Sequence, residues 1–234
     1  MSKVAVVTGA SQGIGAATVA AYRKLGYRVV ATSRSIEPSG DPGVLAVPGD
    51  IADPAVGARV IDAGRAEFGR VDTLVNNAGV FVAKPFTEYT GEDFDRVVGV
   101  NLRGFVAITQ RAVAAMLEQG GGHVVTITTT LAERSTAGAP AALAPLTKGG
   151  LNSATKALAI EYAARGIRFN AVSPGVVKTG MHPPETYDAL AGLHPIGRMG
   201  EIGDVTDAIL YLENASFVTG EILHVDGGQS AGGR

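Results

Sequence analysis

The 234 residues suffice for one large domain over 1–234, and a hydrophobic content of 46% supplies a core around a sheet without a second unit. A charged fraction of 18% and a formal net charge of −2 give no electrostatic case for nucleic acid or anionic lipid as a partner, which leaves a small molecule as the expected ligand. Zero cysteines exclude disulfides, thiolate metal sites and a cysteine nucleophile, and no metal site is expected from other residues.

Met1-Ser2-Lys3 runs directly into the apolar stretch Val4–Val7 with no leader-like segment, and no apolar run is long enough to span a bilayer. A cytoplasmic location is the expectation.

In chain order, strands are predicted at Val4–Thr8, Arg28–Ser33, Val44–Val47, Thr73–Asn76, His123–Thr128, Arg168–Val172 and Glu221–Val225. Segments of helical period separate them. Ile14, Ala17, Thr18, Ala21, Tyr22 and Leu25 share one face of the first helix, which Gly26 should end in a left-handed cap. Thr90 with Asp93 marks another helix start, opening a long segment that ends near the glycines at 120–122. The chain shows no internal repeat, and only Ser230–Arg234 reads as a loose tail. Strand and helix alternation predicts an α/β fold: a doubly wound, Rossmann-type parallel sheet of about seven strands with helices on both faces.

Thr8-Gly9-Ala10-Ser11-Gln12-Gly13-Ile14-Gly15 follows a strand and opens a helix. In that setting glycines permit a tight turn and close backbone approach, while the helix N-terminus offers unpaired N–H groups to a pyrophosphate. At the end of the second strand, Ser33 stands where an NAD-preferring site carries an acidic side chain, and Arg34 beside it can bind a 2′-phosphate. NADP(H) is therefore favoured, and NAD(H) stays open.

The spacing of the glycine loop resembles that of the short-chain dehydrogenase/reductase family. Asn76-Asn77-Ala78-Gly79, Asn101, Asn170–Gly175 and Val225-Asp226-Gly227-Gly228 resemble its motifs in order and spacing, so the likeness covers essentially the whole chain. The resemblance implies that Gly9, Ser11, Gln12, Gly13, Ile14 and Gly15 hold the cofactor phosphates. It places Asp50 and Ile51 at the adenine, and Asn77 and Ala78, with Gly79 beside them, at the adenosine-side ribose. Pro174, Gly175, Val177 and Thr179 belong to the nicotinamide side. It also implies a homotetramer or homodimer.

In the resembled family a serine, a tyrosine and a lysine carry the chemistry, the lysine one helical turn after the tyrosine. Lys148 matches the lysine, but Ala144 stands four residues earlier, and no Tyr-x-x-x-Lys occurs elsewhere. The serine position falls on Thr129 counted from the strand, or on Thr130 or Leu131 counted back from Lys148, which leaves both threonines as candidates. Asn101 matches a position that anchors a relayed water through the backbone; it reads equally as a polar residue that distorts the helix in the core.

Loss of a positioned acid costs about 100- to 10,000-fold in rate. Lys148 can hold the ribose hydroxyls and polarise a water, or donate directly. His182, His194, Glu133, Arg134 and Tyr187 are further acid candidates, and substrate choice is expected to reside in Lys178–Met199. The leading expectation is an NADP(H)-dependent oxidoreductase reducing a carbonyl or related unsaturated small molecule, with Lys148, a threonine and a relayed water in place of tyrosine. The alternative is a cofactor-binding sensor or assembly subunit without turnover.

Overall fold

The computed structural model describes residues 2–136 and 140–232. Seven strands form one all-parallel sheet: β1 (Val4–Thr8), β2 (Arg28–Ser33), β3 (Val44–Pro48), β4 (Thr73–Asn76), β5 (Gly122–Ile127), β6 (Ile167–Pro174) and β7 (Ile222–Val225). Their order is β3-β2-β1-β4-β5-β6-β7, so the winding reverses between β1 and β4. A sheet covered on both faces needs strands that are apolar throughout, which is why β1 reads Val-Ala-Val-Val-Thr and is buried along its length.

Alternate residues serve opposite layers. Val4 and Val6 enter a core shared with α2 (Pro54–Phe68), α4 (Phe105–Gln119) and α5 (Leu143–Tyr162), through Val60, Ile108, Met116 and Ala159. Ala5 and Val7 enter the opposite core, closed by Tyr22 of α1 (Gly13–Lys24) and by Val205, Ile209 and Leu212 of α7 (Ile202–Asn214).

The expected strands are present: β1, β2 and β4 with the expected ends, and the other four with ends displaced by one or two residues. Gly26 takes φ +82°, as a left-handed cap requires. Leu25, however, is 46% exposed: the helix ends at Lys24, so Leu25 lies in the turn and leaves the stripe that buries Thr18 and Tyr22. The Thr90–Asp93 capping box starts α3 (Gly91–Val98), and the segment reaches Gln119 only through a π-helical stretch, Gly99–Gly104, that contains Asn101. The expected loose tail is tied at its beginning, because Ser230 N donates to Asp226 Oδ2 (2.8 Å) and Ala231 N to Gly228 O (3.2 Å); residues 233–234 lie outside the described residues.

At the amino ends of the strands, away from the glycine loop, Glu213 of α7 accepts hydrogen bonds from His123 Nδ1 (2.9 Å), Tyr22 (3.1 Å), Tyr27 (2.9 Å) and Thr73 (3.0 Å). Asn170 Nδ2 donates to His123 Nε2 (3.1 Å), which leaves the Nδ1 proton for Glu213. Burial alone would raise the Glu213 pKa, but the donors around it hold the carboxyl well below its ordinary range. Burial keeps His123 below its usual value. Among the described residues no helix is long and apolar enough to cross a membrane, and no three metal-ligating side chains cluster.

Candidate active site at the sheet switch point

Beyond Thr8 the chain turns through Gly9 (φ +65°) and Gly13 (φ +55°) into α1. A Cβ on Gly15 would overlap Gly9 O and fall 2.6 Å from Asn77 Nδ2, so only glycine permits the helix to start this close to the strand. Asn77 Nδ2 donates to Thr8 O (2.9 Å) and Gly9 O (3.1 Å), while Thr8 Oγ1 accepts from Asn77 N (3.0 Å) and Ala78 N (2.9 Å). The loops after β1 and β4 are thus stapled across the point where the winding reverses. Gln12, the N-cap of α1, contributes no side-chain bond, and no acidic residue stands in the first turn, so the positive end of the helix is left for an anion.

At the tip of β2, Arg34 is exposed, and the buried hydroxyls of Thr32 and Ser33 have no partner among the described residues. Ser33 O accepts from Gly49 N (3.0 Å), which brings Asp50 and Ile51 to the same edge. Asp50 is exposed and turns its Oδ1 to Ala52 N (3.0 Å). On the far side of the loop, the Thr179 methyl comes within 3.7 Å of a Cβ placed on Gly13. Segments more than 160 residues apart in sequence therefore meet over one crevice.

Lys148 is buried on the first turns of α5, and its Nζ donates to Ile127 O (2.6 Å) at the end of β5. Burial pushes its pKa down to about 8. The same Nζ lies 3.2 Å from where a Gly79 side chain would begin, with Asn101 Oδ1 at 3.6 Å. Asn101 is held by Val80, accepting from its N–H (2.9 Å) and donating to its carbonyl (3.1 Å), and it also donates to Thr147 Oγ1 (3.2 Å). Both descriptions expected of Asn101 concern the backbone, and the π-helical turn at this residue fits the helix-distorting one. A cavity of about 10 Å³, close to the smallest that holds a water, is lined by Thr8, Asn76, Ala78, Asn101 and Lys148.

One turn before Lys148, Ala144 is buried and presents only a methyl group. The two threonines differ sharply. Thr130 is buried and spends its proton on Pro174 O (3.0 Å), whereas Thr129 is partly exposed and, among the described residues, only accepts, from Leu131 N (3.3 Å).

The other acid candidates scatter. Glu133 is engaged by His224 Nε2 (2.9 Å) and Asn152 Nδ2 (3.3 Å) in a groove between α5 and β7. Arg134 N closes the turn onto Thr130 O (2.9 Å). His182 is half-buried, with its pKa lowered by that burial, and Tyr187 begins the short helix α6 (Tyr187–Ala191) with Lys178 Nζ 5.9 Å above its ring. His194 is buried, and its Nε2 accepts from Val176 N (3.0 Å). Thr8 and Asn76, which head the glycine loop and the Asn-Asn-Ala-Gly motif, are given no role of their own by the sequence reading. The signal was their place at the ends of two strands that flank the reversal, where a polar side chain in an otherwise apolar run faces the crevice.

A glycine turn and bare helix N-terminus at the carboxyl edge of a parallel sheet, where the winding reverses, define a Rossmann-type dinucleotide-binding protein. Residues 9–230 match the family described as enoyl-(acyl carrier protein) reductase, and the chain belongs to the short-chain dehydrogenase/reductase family of oxidoreductases. The 3alpha-hydroxysteroid dehydrogenase of Mediterraneibacter gnavus is 36% identical over 243 residues, spanning 97% of this chain and 96% of that protein. The structure of ElxO with NADP bound superposes with a TM-score of 0.93 at 29% identity, covering 99% of this chain and 100% of that one. The Brucella melitensis 3-ketoacyl-(acyl-carrier-protein) reductase complexed with NADH gives 0.90 at 34% identity, covering 97% and 98%. The site is that of a nicotinamide dinucleotide. Its residues fit one physically: the uncapped helix suits a pyrophosphate, the side-chain-free Gly13, whose Cβ would meet only Thr179 at 3.7 Å, gives it backbone approach, and the buried Ser33 hydroxyl, without a partner among the described residues, suits a polar group.

Proposed function

We propose that the chain is an NADP(H)-dependent reductase of a carbonyl or related unsaturated small molecule that delivers its proton without a tyrosine. The observation that carries this reading is Lys148, a buried ammonium with a pKa near 8, facing Asn101 and a water-sized cavity, with only the Ala144 methyl one turn before it. The cofactor, when bound, supplies the hydride. Gly9, Ser11, Gln12, Gly13, Ile14 and Gly15 hold its phosphates, Asp50, Ile51, Asn77, Ala78 and Gly79 its adenosine side, and Pro174, Gly175, Val177 and Thr179 its nicotinamide side. Arg34, with Ser33, selects a 2′-phosphate through charge-assisted hydrogen bonds about twice as strong as neutral ones.

Thr129, whose hydroxyl makes no donated bond among the described residues, orients the substrate oxygen, and Thr130 holds the Pro174 loop. Lys148 anchors ribose hydroxyls and passes a proton through water at Asn101; a pKa of about 8 keeps it protonated at neutral pH yet ready to give the proton up. A substrate that is already cationic, such as an iminium, needs no such proton. Assembly of the 1–234 unit as a homotetramer or homodimer is part of the proposal, supported by the fully exposed Phe217 and the 85% exposed Ile160. A cytoplasmic location suits a cysteine-free chain.

One observation favours a second reading, a cofactor-binding sensor or assembly subunit: Ala144 supplies no acid at all. The test is NADPH binding by the purified protein, followed by NADPH consumption with ketones, quinones, activated alkenes and cyclic imines. Turnover that is lost in Lys148→Ala while NADPH still binds supports the reductase. Tight binding with no substrate reduced across the panel would overturn it in favour of the binding protein.

A further inference from the structure

We infer that His194 is a positioning residue: its imidazole latches the substrate-facing segment Lys178–Met199 to the loop after β6, so that cofactor and substrate segments order together. This rests on the reading of Pro174–Thr179 as the nicotinamide side of the site.

Between Lys178 and Arg198 every residue is exposed or half-buried except His194, which is 3% exposed. Its Nε2 accepts from Val176 N at 3.0 Å, and no strand partner serves that N–H, which lies beyond the end of β6. Because Nε2 accepts, Nδ1 carries the ring proton, and Nδ1 is buried with no partner among the described residues. An apolar side chain would fill the niche without that orphan. Among the described residues, the one hydrogen bond made by this ring is therefore the one to Val176.

The surroundings are cut to admit it. A Cβ on Gly175 would fall 2.7 Å from His194 Nε2, and one on Gly227 (φ +58°) would fall 3.2 Å from His194 Cβ. Ile196 N donates to Gly227 O (3.1 Å) and Gly197 N to His194 O (2.8 Å), fixing the turn that carries the ring. At the base of the segment, Gly200 N donates to Val176 O (2.9 Å) and Lys178 N to Gly200 O (2.9 Å). Val176 is thus gripped on its carbonyl by the backbone of one end of the segment and on its N–H by His194. Whatever orders the Gly175–Val176 peptide orders Lys178–Met199, and the coupling is reciprocal.

Two loss variants and one rescue test this. His194→Leu fills the niche without an acceptor, His194→Asn keeps polarity but is too short to reach Val176 N, and His194→Gln places an acceptor near the Nε2 position. Each is titrated with NADPH and, separately, digested with trypsin at Lys178 and Arg198 with and without saturating NADPH. The wild type and His194→Gln should bind alike and be protected by NADPH. The Leu and Asn forms should bind about tenfold more weakly, the equivalent of one hydrogen bond, and gain no protection at saturation. Equal binding and equal protection in all four would overturn the latch. If His194→Leu does not fold, the Asn and Gln pair decides, and identical behaviour of those two overturns it. A wild type that binds no NADPH refutes the cofactor reading itself, a failure distinct from the latch's.

Discussion

Replacing Lys148 by methionine should make the cofactor-free protein more stable while removing its activity. Burial lowers the lysine pKa from 10.5 to about 8, and at about 1.36 kcal/mol per unit this corresponds to about 3 kcal/mol by which the core disfavours the ammonium at neutral pH. Methionine occupies similar volume without charge, but it removes the hydrogen bond to Ile127 O, for which about 1 kcal/mol is subtracted. The net gain of about 2 kcal/mol corresponds to about 4–8 °C in Tm for a chain of this size.

The gain must depend on pH in one direction. Between pH 8 and 10.5 the unfolded lysine still holds its proton and the folded one does not, so the wild type gains stability as pH rises through that window. The advantage of the methionine variant is full at pH 7, gone at about pH 9.5, and reversed by about 1 kcal/mol near pH 10.5, where only the lost hydrogen bond remains. Urea unfolding of both proteins at pH 7 and pH 10 measures it. A variant no more stable than wild type at pH 7, or a difference that ignores pH, would refute the claim that Lys148 is a strained, buried cation.

Arg34→Ala should lower the preference for NADPH over NADH by about 10- to 100-fold, the value of hydrogen bonds to a charged group, as read from the two dissociation constants. Thr129→Val should reduce kcat about tenfold with NADPH affinity unchanged; Thr130→Val should instead destabilise the fold by about 1–2 kcal/mol, because Pro174 O loses its donor, and thermal melts separate the two. Glu213→Gln should cost about 3 kcal/mol, since it leaves some of four donors unmatched in a buried site. Because the Glu213 pKa lies below its ordinary value, the wild type holds this stability above pH 4.5 and loses it as pH falls toward 2, so its advantage over Glu213→Gln in urea unfolding should shrink at pH 3.

The sheet was legible because strands buried on both faces must be nearly all apolar, and Val4–Thr8, Arg28–Ser33 and Thr73–Asn76 begin and end where the pattern does. Leu25 misled because periodicity continues past the residue where the hydrogen-bonded helix stops. The π-helical turn at Asn101 left no trace in periodicity, since it depends on that side chain reaching the backbone of Val80. Thr129 and Thr130 were inseparable by counting from either end of the loop; what distinguishes them is which hydroxyl meets Pro174 O, a contact across 44 residues. The His123–Glu213 pair, 90 residues apart, and the His194–Val176 bond were invisible for the same reason: each partner is an ordinary residue until the fold brings the other.

Lys148 also bears on which substrates the site suits. A protein that only held a dinucleotide could rely on the N-terminus of α1 and on Arg34, neither of which puts a cation in the core. On the proposed reading, with Ala144 in place of an acid, the proton source is an amine with a pKa near 8 acting through a water-sized space. Such a site forgoes the about 100- to 10,000-fold that a positioned acid contributes, and the loss is smallest where reduction generates little negative charge. Cyclic iminium substrates, which become neutral on reduction, should therefore be turned over faster than quinones, and quinones faster than simple ketones, whose alkoxide needs the proton most. Initial rates at saturating NADPH across that series measure the order. A simple ketone at the top of it would mean that an efficient acid is present after all, with Tyr187 and His182 as the side chains to mutate.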